Sequence, residues 1–282
     1  MNGMRPKFLE NSIVKRGYYE QPSPYVNAPS CHVNLLELSR YAKKCGKKLA
    51  ELTREEVKKI RFDRGEEDML DILFVTDFVC PYCLVAKVAL EEALRETGLE
   101  AQVRVQPLEL TPEPRERVDT CHDEARKKRY QILVEPARAL GLDMKLPPAV
   151  CPRPYTRLAF EGLYYAQEKG LGERYADLVY RAYFEKELDI GELEVLCGIA
   201  GEDGLDVEGY RQALLQGTYT QKVKEETAYS RDVLKVSGVP TVYLNGESVS
   251  IETYTKEEMV RILQQGQEAS ASGFHCGVDG CG

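Results

Sequence analysis

Cys80-Pro81-Tyr82-Cys83 sets two thiols three positions apart, where an apolar run, Ile72-Leu73-Phe74-Val75, gives way to a helical stretch from Leu84 to Thr97. Cysteines so spaced at a helix N-terminus lie about one turn from each other, near enough to close a disulfide. Unpaired backbone N–H groups and the helix dipole at that end favour a thiolate on the first of them. A thiolate is the species that attacks a disulfide, so the spacing points to thiol–disulfide exchange. Pro81 suits the first helical turn, where its missing N–H costs little and its φ is already helical. Cys80 is expected to present an accessible sulfur and to act as nucleophile. Cys83, on the next turn, is expected to be more buried and to act as the resolving thiol, with Val85, Val88 and Leu94 supporting the helix. A CxxC can also be half of a zinc site, which needs two further ligands; no second CxxC or HxxxH stands nearby.

Gly238-Val239-Pro240-Thr241 forms a second constellation. A proline opening a strand after a long helical excursion, in a chain with CPYC, is expected to be cis and to face the cysteines. Val239 would then offer backbone to an extended substrate, with Pro81, Tyr82 and Thr241 completing the binding surface. Pro240 brings neither an N–H nor a ligating side chain, which keeps metal from the thiols. An ordinary trans turn is the alternative.

The elements that must position these groups can be read along the chain. Residues 70–76 read as a strand leading into the CxxC helix, which ends near Gly98. Val103 and Val105 alternate with polar neighbours over residues 101–106, as a second strand should. Pro107, Pro112 and Pro114 break regular structure. A mainly helical insertion, about 115–236, carries Leu158, Tyr165, Leu178, Tyr180, Tyr183 and Phe184, which read as core. Strand character returns at 240–244, Asn245-Gly246 signals a hairpin, and Ser248 to Ile251 is the expected return strand. A final helix over 257–265 follows. Before all this, residues 1–30 read as an extended arm, 33–47 as helical, and Thr53-Arg54-Glu55-Glu56 as a capping box opening a short helix through Phe62. The expected organisation is a basic extension over 1–68, a main domain over 69–267 and a flexible cysteine-containing tail over 268–282.

Composition narrows the function classes. The chain of 282 residues, 43% hydrophobic and 30% charged, has the profile of a soluble globular protein. It holds no apolar stretch of the roughly 18 residues a membrane span requires. The first 17 residues lack the apolar core of a secretory signal, so a cytoplasmic location is expected. Residues 1–65 carry a net charge of +7 within a total of −8, leaving −15 for the remainder. That acidic body argues against nucleic acid as a partner; the basic head could dock on the body, dock on an acidic partner, or stay solvated. Nine cysteines cannot all pair internally, and in a reducing compartment most should be thiols, metal ligands or redox pairs rather than staples.

The motifs and their order resemble the thioredoxin superfamily. An insertion between the second and third strands is similar to the DsbA-like branch, and the chain most resembles the FrnE-like subgroup from about 70 to 266. Asp77, Gln106-Pro107-Leu108-Glu109-Leu110-Thr111-Pro112, Ala182-Tyr183-Phe184 and Asp189-Ile190 carry that resemblance. CPYC also suits a glutaredoxin, but a glutaredoxin is far smaller and has no such insertion. The resemblance implies an α/β thioredoxin fold with a large helical insertion and a small helical N-terminal extension. It also implies a protein disulfide oxidoreductase or isomerase with catalytic Cys80, Cys83 and Pro240. Protein or small-molecule disulfides and dithiols would be its substrates, thioredoxin or glutathione its electron donor, and no cofactor is implied. Tyr82 stands where many FrnE-like proteins have Trp, and Ile251-Glu252-Thr253-Tyr254 replaces an expected Ser-Gly-Ala-Gln. Related chromene-carboxylate isomerases and kappa-class glutathione transferases have Ser in place of the first Cys, so the intact pair argues against a glutathione-dependent isomerase or transferase.

The tail, His275-Cys276-Gly277-Val278-Asp279-Gly280-Cys281-Gly282, has glycines that permit the tight loop a Cys276–Cys281 disulfide needs. Some FrnE-like proteins carry a similar C-terminal pair. Three readings stand: an auxiliary redox couple reaching the site over a small polar link at 264–273, a metal set of His275, Cys276 and Cys281 with Cys31 and His32, or a passive tail. The metal set would make a metal-binding or redox-sensing protein. Cys45, Cys121, Cys151 and Cys197 have no motif partners; Cys197 sits in an apolar run and reads as core. Cys121, beside His122, reads as surface. Asp77 could tune proton affinity at the site or organise the turn before it. The sequence leaves substrate, direction of electron flow and oligomeric state open.

Overall fold

Leu70–Thr76 (β1) is the inner strand on which the rest of the sheet is built. Leu70, Ile72 and Phe74 point to one apolar cluster and Val75 to another, as the two-residue period of a strand requires. Ala101–Pro107 (β2) pairs parallel to β1, with Ile72 opposite Val103. Thr241–Leu244 (β3) pairs antiparallel on the other side, with Phe74 opposite Val242, and Glu247–Val249 (β4) closes the order β2-β1-β3-β4. A parallel pair needs a crossover, and Pro81–Thr97 (α1) supplies it. The computed structural model describes residues 42–43, 45–48 and 69–272, the last four of these without side chains. The chain divides into two units, 1–67 and 68–282. The arm, the capping-box helix, Cys31, His32, and the tail residues His275, Cys276 and Cys281 lie outside the described residues.

Pro81 occupies the first turn of α1, and Gly98 ends it with a left-handed φ of 66°, its N–H donating to Leu94 O at 3.0 Å. Glycine takes that conformation without the steric penalty of a Cβ. The insertion runs through Glu124–Tyr130 (α2), Val134–Ala139 (α3), Arg157–Glu168 (α4), Gly172–Phe184 (α5), Leu193–Asp203 (α6), Val207–Leu215 (α7) and Thr220–Ala228 (α8). Its interior holds the fully buried Phe160, Tyr175, Tyr180, Tyr183, Phe184 and Tyr210, and the start of α1 packs into the same cluster. Buried phenols need partners: Tyr175 and Tyr210 hydroxyls meet at 2.6 Å. Gly162 on α4 allows that, since a Cβ there would lie 2.1 Å from the Tyr210 oxygen. Of the predicted aromatic and aliphatic core, Tyr180, Tyr183 and Phe184 are buried, whereas Leu158, Tyr165 and Leu178 are half-buried at its border. Cys197 is buried on α6, as expected.

Several expectations are corrected. The return strand is Glu247–Val249 rather than 248–251. Asn245 and Gly246 both take positive φ, 50° and 87°, so pairing resumes directly at Glu247 opposite Leu244. The last helix, Lys256–Ser272 (α9), runs past the expected end at Gln265, so the start of the supposed flexible tail is helical. Gly266 does not end it: a Cβ there would lie 2.9 Å from Leu244 Cδ1, so the glycine permits close seating on β3. Cys121 and Cys151, which have no partner in any motif, form a disulfide. Their loops meet only through the fold, and spacing of 30 residues carries no local signal. Among the described residues no helix is long and apolar enough to cross a membrane.

Candidate functional site

Cys80 caps α1 in an extended conformation, φ −95° and ψ 113°, its N–H donating to Asp77 O at 3.0 Å. Its carbonyl accepts the N–H of Cys83 at 3.1 Å, which brings the second thiol under the first. The Val239–Pro240 peptide is cis, and the Cys80 thiol donates to Val239 O at 3.4 Å. Thr241 opens β3 with its hydroxyl donating to Gly238 O at 2.8 Å, which holds the turn closed. Sequence residues 159 apart therefore meet across one sulfur.

Cys80 is not accessible as expected. It is only 5% exposed, because the Val239 carbonyl and two tyrosine rings crowd the mouth. Tyr82 is half-buried; its hydroxyl donates to Arg129 O at 3.1 Å, and its ring lies 6.0 Å from Tyr130 and 5.3 Å from Tyr254. Tyr254 sits at φ 57°, a region that a residue with a Cβ enters only when its surroundings hold it there. Glu258 does the holding: its carboxylate accepts N–H bonds from Glu252, Thr253 and Tyr254 at 2.8, 2.8 and 3.0 Å. Burial first, then the neighbouring Cys80 and Tyr82, push the Tyr254 hydroxyl up to about 12. Tyr130 and Tyr254 escape sequence reasoning; only the departure at residues 251–254 marked that segment.

Cys83 has no exposed surface. Burial is the main cause that drives its thiol well above the ordinary value, and the hydrogen bond and charge of Cys80 add to it; Thr76 and the backbone of Asp77 act the other way. Thr76 is itself hydrogen-bonded to the Tyr180 hydroxyl, so the surroundings of Cys83 rest on the insertion core. Both thiols are free in this structure. Asp77 is wholly buried: Oδ2 accepts the Leu110 N–H at 2.7 Å, and Oδ1 has no partner. Its carboxyl is raised by burial, against the pull of Leu110 N–H and the Arg153 charge. Glu109 beside it is raised to about 7, by burial first and by the Asp77 charge next. Asp77 therefore organises the turn, its backbone carbonyl accepting the Cys80 N–H and its side chain the Leu110 N–H.

Among the described residues the only group with metal-ligand geometry is Asp119, Cys121 and Cys151, whose ligand atoms lie within 4.8 Å of one another. The two sulfurs are joined, so neither is a thiolate ligand. At Cys80, a second thiol behind the first, a carbonyl acceptor and an aromatic rim can support attack on a disulfide and intramolecular resolution.

Three kinds of similarity agree with that arrangement. YwbO, an uncharacterized protein of Bacillus subtilis (strain 168), is 34% identical over 175 residues, 62% of this chain and 86% of its own length. A probable DsbA oxidoreductase, SCO1869 of Streptomyces coelicolor, shares the fold at a TM-score of 0.58 and 24% identity, over 76% of this chain and 98% of that one. The cytosolic disulfide reductase DsbM of Pseudomonas aeruginosa gives 0.54 and 18%, over 71% and 99%. A 2-hydroxychromene-2-carboxylate isomerase gives 0.56 and 17%, over 72% and 97%. The DSBA-like thioredoxin domain profile matches residues 71–260. With a match over more than half its length, reaching from β1 into α9, this chain belongs to the DSBA-like thioredoxin domain family.

Proposed function

We propose that the chain exchanges disulfides through Cys80 and Cys83. The Cys80 thiolate attacks one sulfur of a substrate disulfide; a Cys80–substrate bond forms, the substrate S–S bond breaks, and the other substrate sulfur leaves as a thiolate and takes up a proton. Cys83 then loses its proton and attacks Cys80 Sγ, forming the Cys80–Cys83 disulfide and releasing the second substrate thiol. Two electrons pass from the pair to the substrate, and the reverse sequence oxidises a dithiol. Pro240 shapes the groove and keeps metal away, while Val239, Thr241, Pro81 and Tyr82 bind the substrate segment.

The observation that carries this reading is the convergence at Cys80: the Val239 carbonyl on one side and a fully buried, protonated Cys83 on the other. Of the two buried thiols only Cys80 keeps any exposed surface and stands at the helix N-terminus, so it takes the nucleophile's role, and Cys83, whose proton burial holds, takes the resolving one. In the cytoplasm, where we place the protein, a reduced glutathione pool favours the reductase or isomerase direction. The fold is shared with DsbM, a cytosolic disulfide reductase whose structure with GSH is also known, so glutathione is the natural electron-donor probe. Cys276 and Cys281 enter the proposal as an auxiliary couple.

Cys83→Ser supplies the test. Under a disulfide challenge this variant is expected to accumulate mixed disulfides through Cys80, located by peptide mass spectrometry, with steady-state turnover lost. An unreactive Cys80 would sink the mechanism, and turnover that survives Cys83→Ser would point instead to glutathione-dependent chemistry on a small molecule. The trap repeated with Cys276→Ser and Cys281→Ser reads out whether the tail recharges the pair.

A further inference from the structure

Cys121 and Cys151 join the loop that enters α2 to the loop that precedes α4. Unlike the catalytic pair, this bridge faces solvent: Cys151 is exposed and Cys121 half-buried. Its polar surroundings are ordered. Asp119 Oδ1 accepts the N–H groups of Cys121 and His122 at 3.0 and 3.1 Å, and Oδ2 lies 2.8 Å from His122 Nδ1. The Cys121 N–H also reaches Cys151 Sγ at 3.1 Å, a donor that would remain to stabilise a sulfur anion there.

One end of the bridge leads through α2 to the groups that hold Tyr82, and the other leads to Arg153. Cys121 stands two residues before Asp123, whose side chain caps α2 by accepting the Arg126 N–H at 2.8 Å. The far end of α2 supplies Arg129 O, which receives the Tyr82 hydroxyl, and the Tyr130 ring beside it. Cys151 stands two residues before Arg153, whose N–H donates to Val118 O at 2.9 Å and whose guanidinium donates to Thr111 at 2.6 Å. The Arg153 charge acts on Asp77, whose backbone carbonyl accepts the Cys80 N–H.

We propose that Cys121–Cys151 is a second redox couple, opened by a monothiol of the glutathione class, whose state sets how firmly Tyr82 is held over Cys80. The chemistry balances with two equivalents of thiol. One thiolate attacks the exposed Cys151 Sγ, breaking the bridge, forming a Cys151–glutathione mixed disulfide and releasing Cys121, which takes a proton. A second thiolate attacks the glutathione sulfur of that mixed disulfide, giving glutathione disulfide and Cys151, which the Cys121 N–H receives. Opening removes the covalent tie between the two loops and leaves them joined by noncovalent bonds such as Arg153 N–H to Val118 O, so α2 is anchored less firmly. Local opening of this sort exposes what the segment covered without unfolding the domain. The opening of the bridge stands independently; only its effect at Cys80 rests on the function proposed above.

The first arm of the test uses the full chain carrying Cys80→Ser and Cys83→Ser, so that no dithiol chemistry at the active site takes part. The folded protein is equilibrated in mixtures of reduced and oxidised glutathione, quenched and alkylated, and Cys121 and Cys151 are quantified by peptide mass spectrometry. Conversion from bridge to two alkylated thiols within the glutathione range, with the far-ultraviolet spectrum unchanged, is expected. A bridge that persists in excess reduced glutathione, or opens only as the chain unfolds, makes it a staple and overturns the proposal. The second arm measures iodoacetamide capture of Cys80 in the wild type with the bridge closed and opened, and in Cys121→Ser/Cys151→Ser. A several-fold faster capture in both open forms is expected; equal rates overturn the coupling. Failure of the Cys83→Ser trap, by contrast, would remove the exchange function and leave the first arm standing.

Discussion

The two cysteine pairs of this domain sit in opposite environments, and their neighbouring carboxyls report the difference. Cys80 and Cys83 share one helical turn in the interior, which follows Asp77; burial pushes the carboxyls of Asp77 and its neighbour Glu109 upward. Cys121 and Cys151 come from separate loops at the surface, beside Asp119, whose carboxyl the His122 hydrogen bonds hold below the usual range. Cys83 is tuned by desolvation and by Cys80. The surface bridge is tuned by local hydrogen bonds and open to solvent thiols. Reactivity at each pair thus follows from what surrounds the sulfur, and spacing decides only which pair the sequence reveals.

The largest effect that would sharpen this contrast is on stability. A bridge over a sequence separation of 30 restrains the unfolded chain by about 4 kcal/mol in the chain-entropy account. Closing the short CxxC loop restrains it by about half as much on the same basis. Urea unfolding of bridged wild type and of Cys121→Ser/Cys151→Ser should therefore differ by about 4 kcal/mol. A difference under about 1 kcal/mol would mean that the loops remain organised without the bond, and the two pairs would then be less unlike than the geometry indicates.

How far the sequence anticipated this arrangement depends on whether the signal was local. β1, the start of α1 and the Asn245-Gly246 turn are legible because the residues that make them stand side by side: an apolar run, a proline at the first helical turn, two residues that accept positive φ. The length of α9 was not legible, because Gly266 has the composition of a helix stop and the packing of a close contact with Leu244. The site divides the same way. Cys80, Cys83, Val239 and Pro240 carry motifs; Tyr130 and Tyr254 reach Tyr82 from α2 and from a loop fixed by Glu258. Tyr254 adopts a backbone conformation that its residue type does not announce. The burial of Cys80 follows from those rings and from Val239, so it too is a tertiary fact.

The buried acids Asp77 and Glu109 give the next effect. The Glu109 carboxyl is raised from 4.5 to about 7, so the folded state binds its proton more tightly than the unfolded chain does. Its contribution is fully favourable below pH about 4.5 and is lost as pH rises through about 7, a swing of at most about 3 kcal/mol. Glu109→Gln should remove that decline: equal stability to wild type near pH 4.5, and a stability advantage approaching about 3 kcal/mol at pH 8. Parallel pH profiles for the two proteins would show that Glu109 is solvated in practice and would narrow the contrast with Asp119. The same titration read as Cys80 alkylation rate tells whether this charge reaches the thiol.

The smallest effect is the most direct link between the two pairs. Tyr82→Phe keeps the ring against Tyr130 and Tyr254 and removes only the hydroxyl that donates to Arg129 O. One such bond contributes about 1 kcal/mol net, equivalent to about a fivefold change in a local opening equilibrium. With the Cys121–Cys151 bridge closed, Tyr82→Phe should speed capture of Cys80 by up to that factor. With the bridge open, α2 is already loosened, so the same substitution should add little. The two changes then combine to less than their product, the behaviour of groups that act on one element. Full additivity would mean that the surface bridge and the Tyr82 hydroxyl act on different elements. The interior and surface pairs would then be neighbours in the chain of helices without being coupled through it.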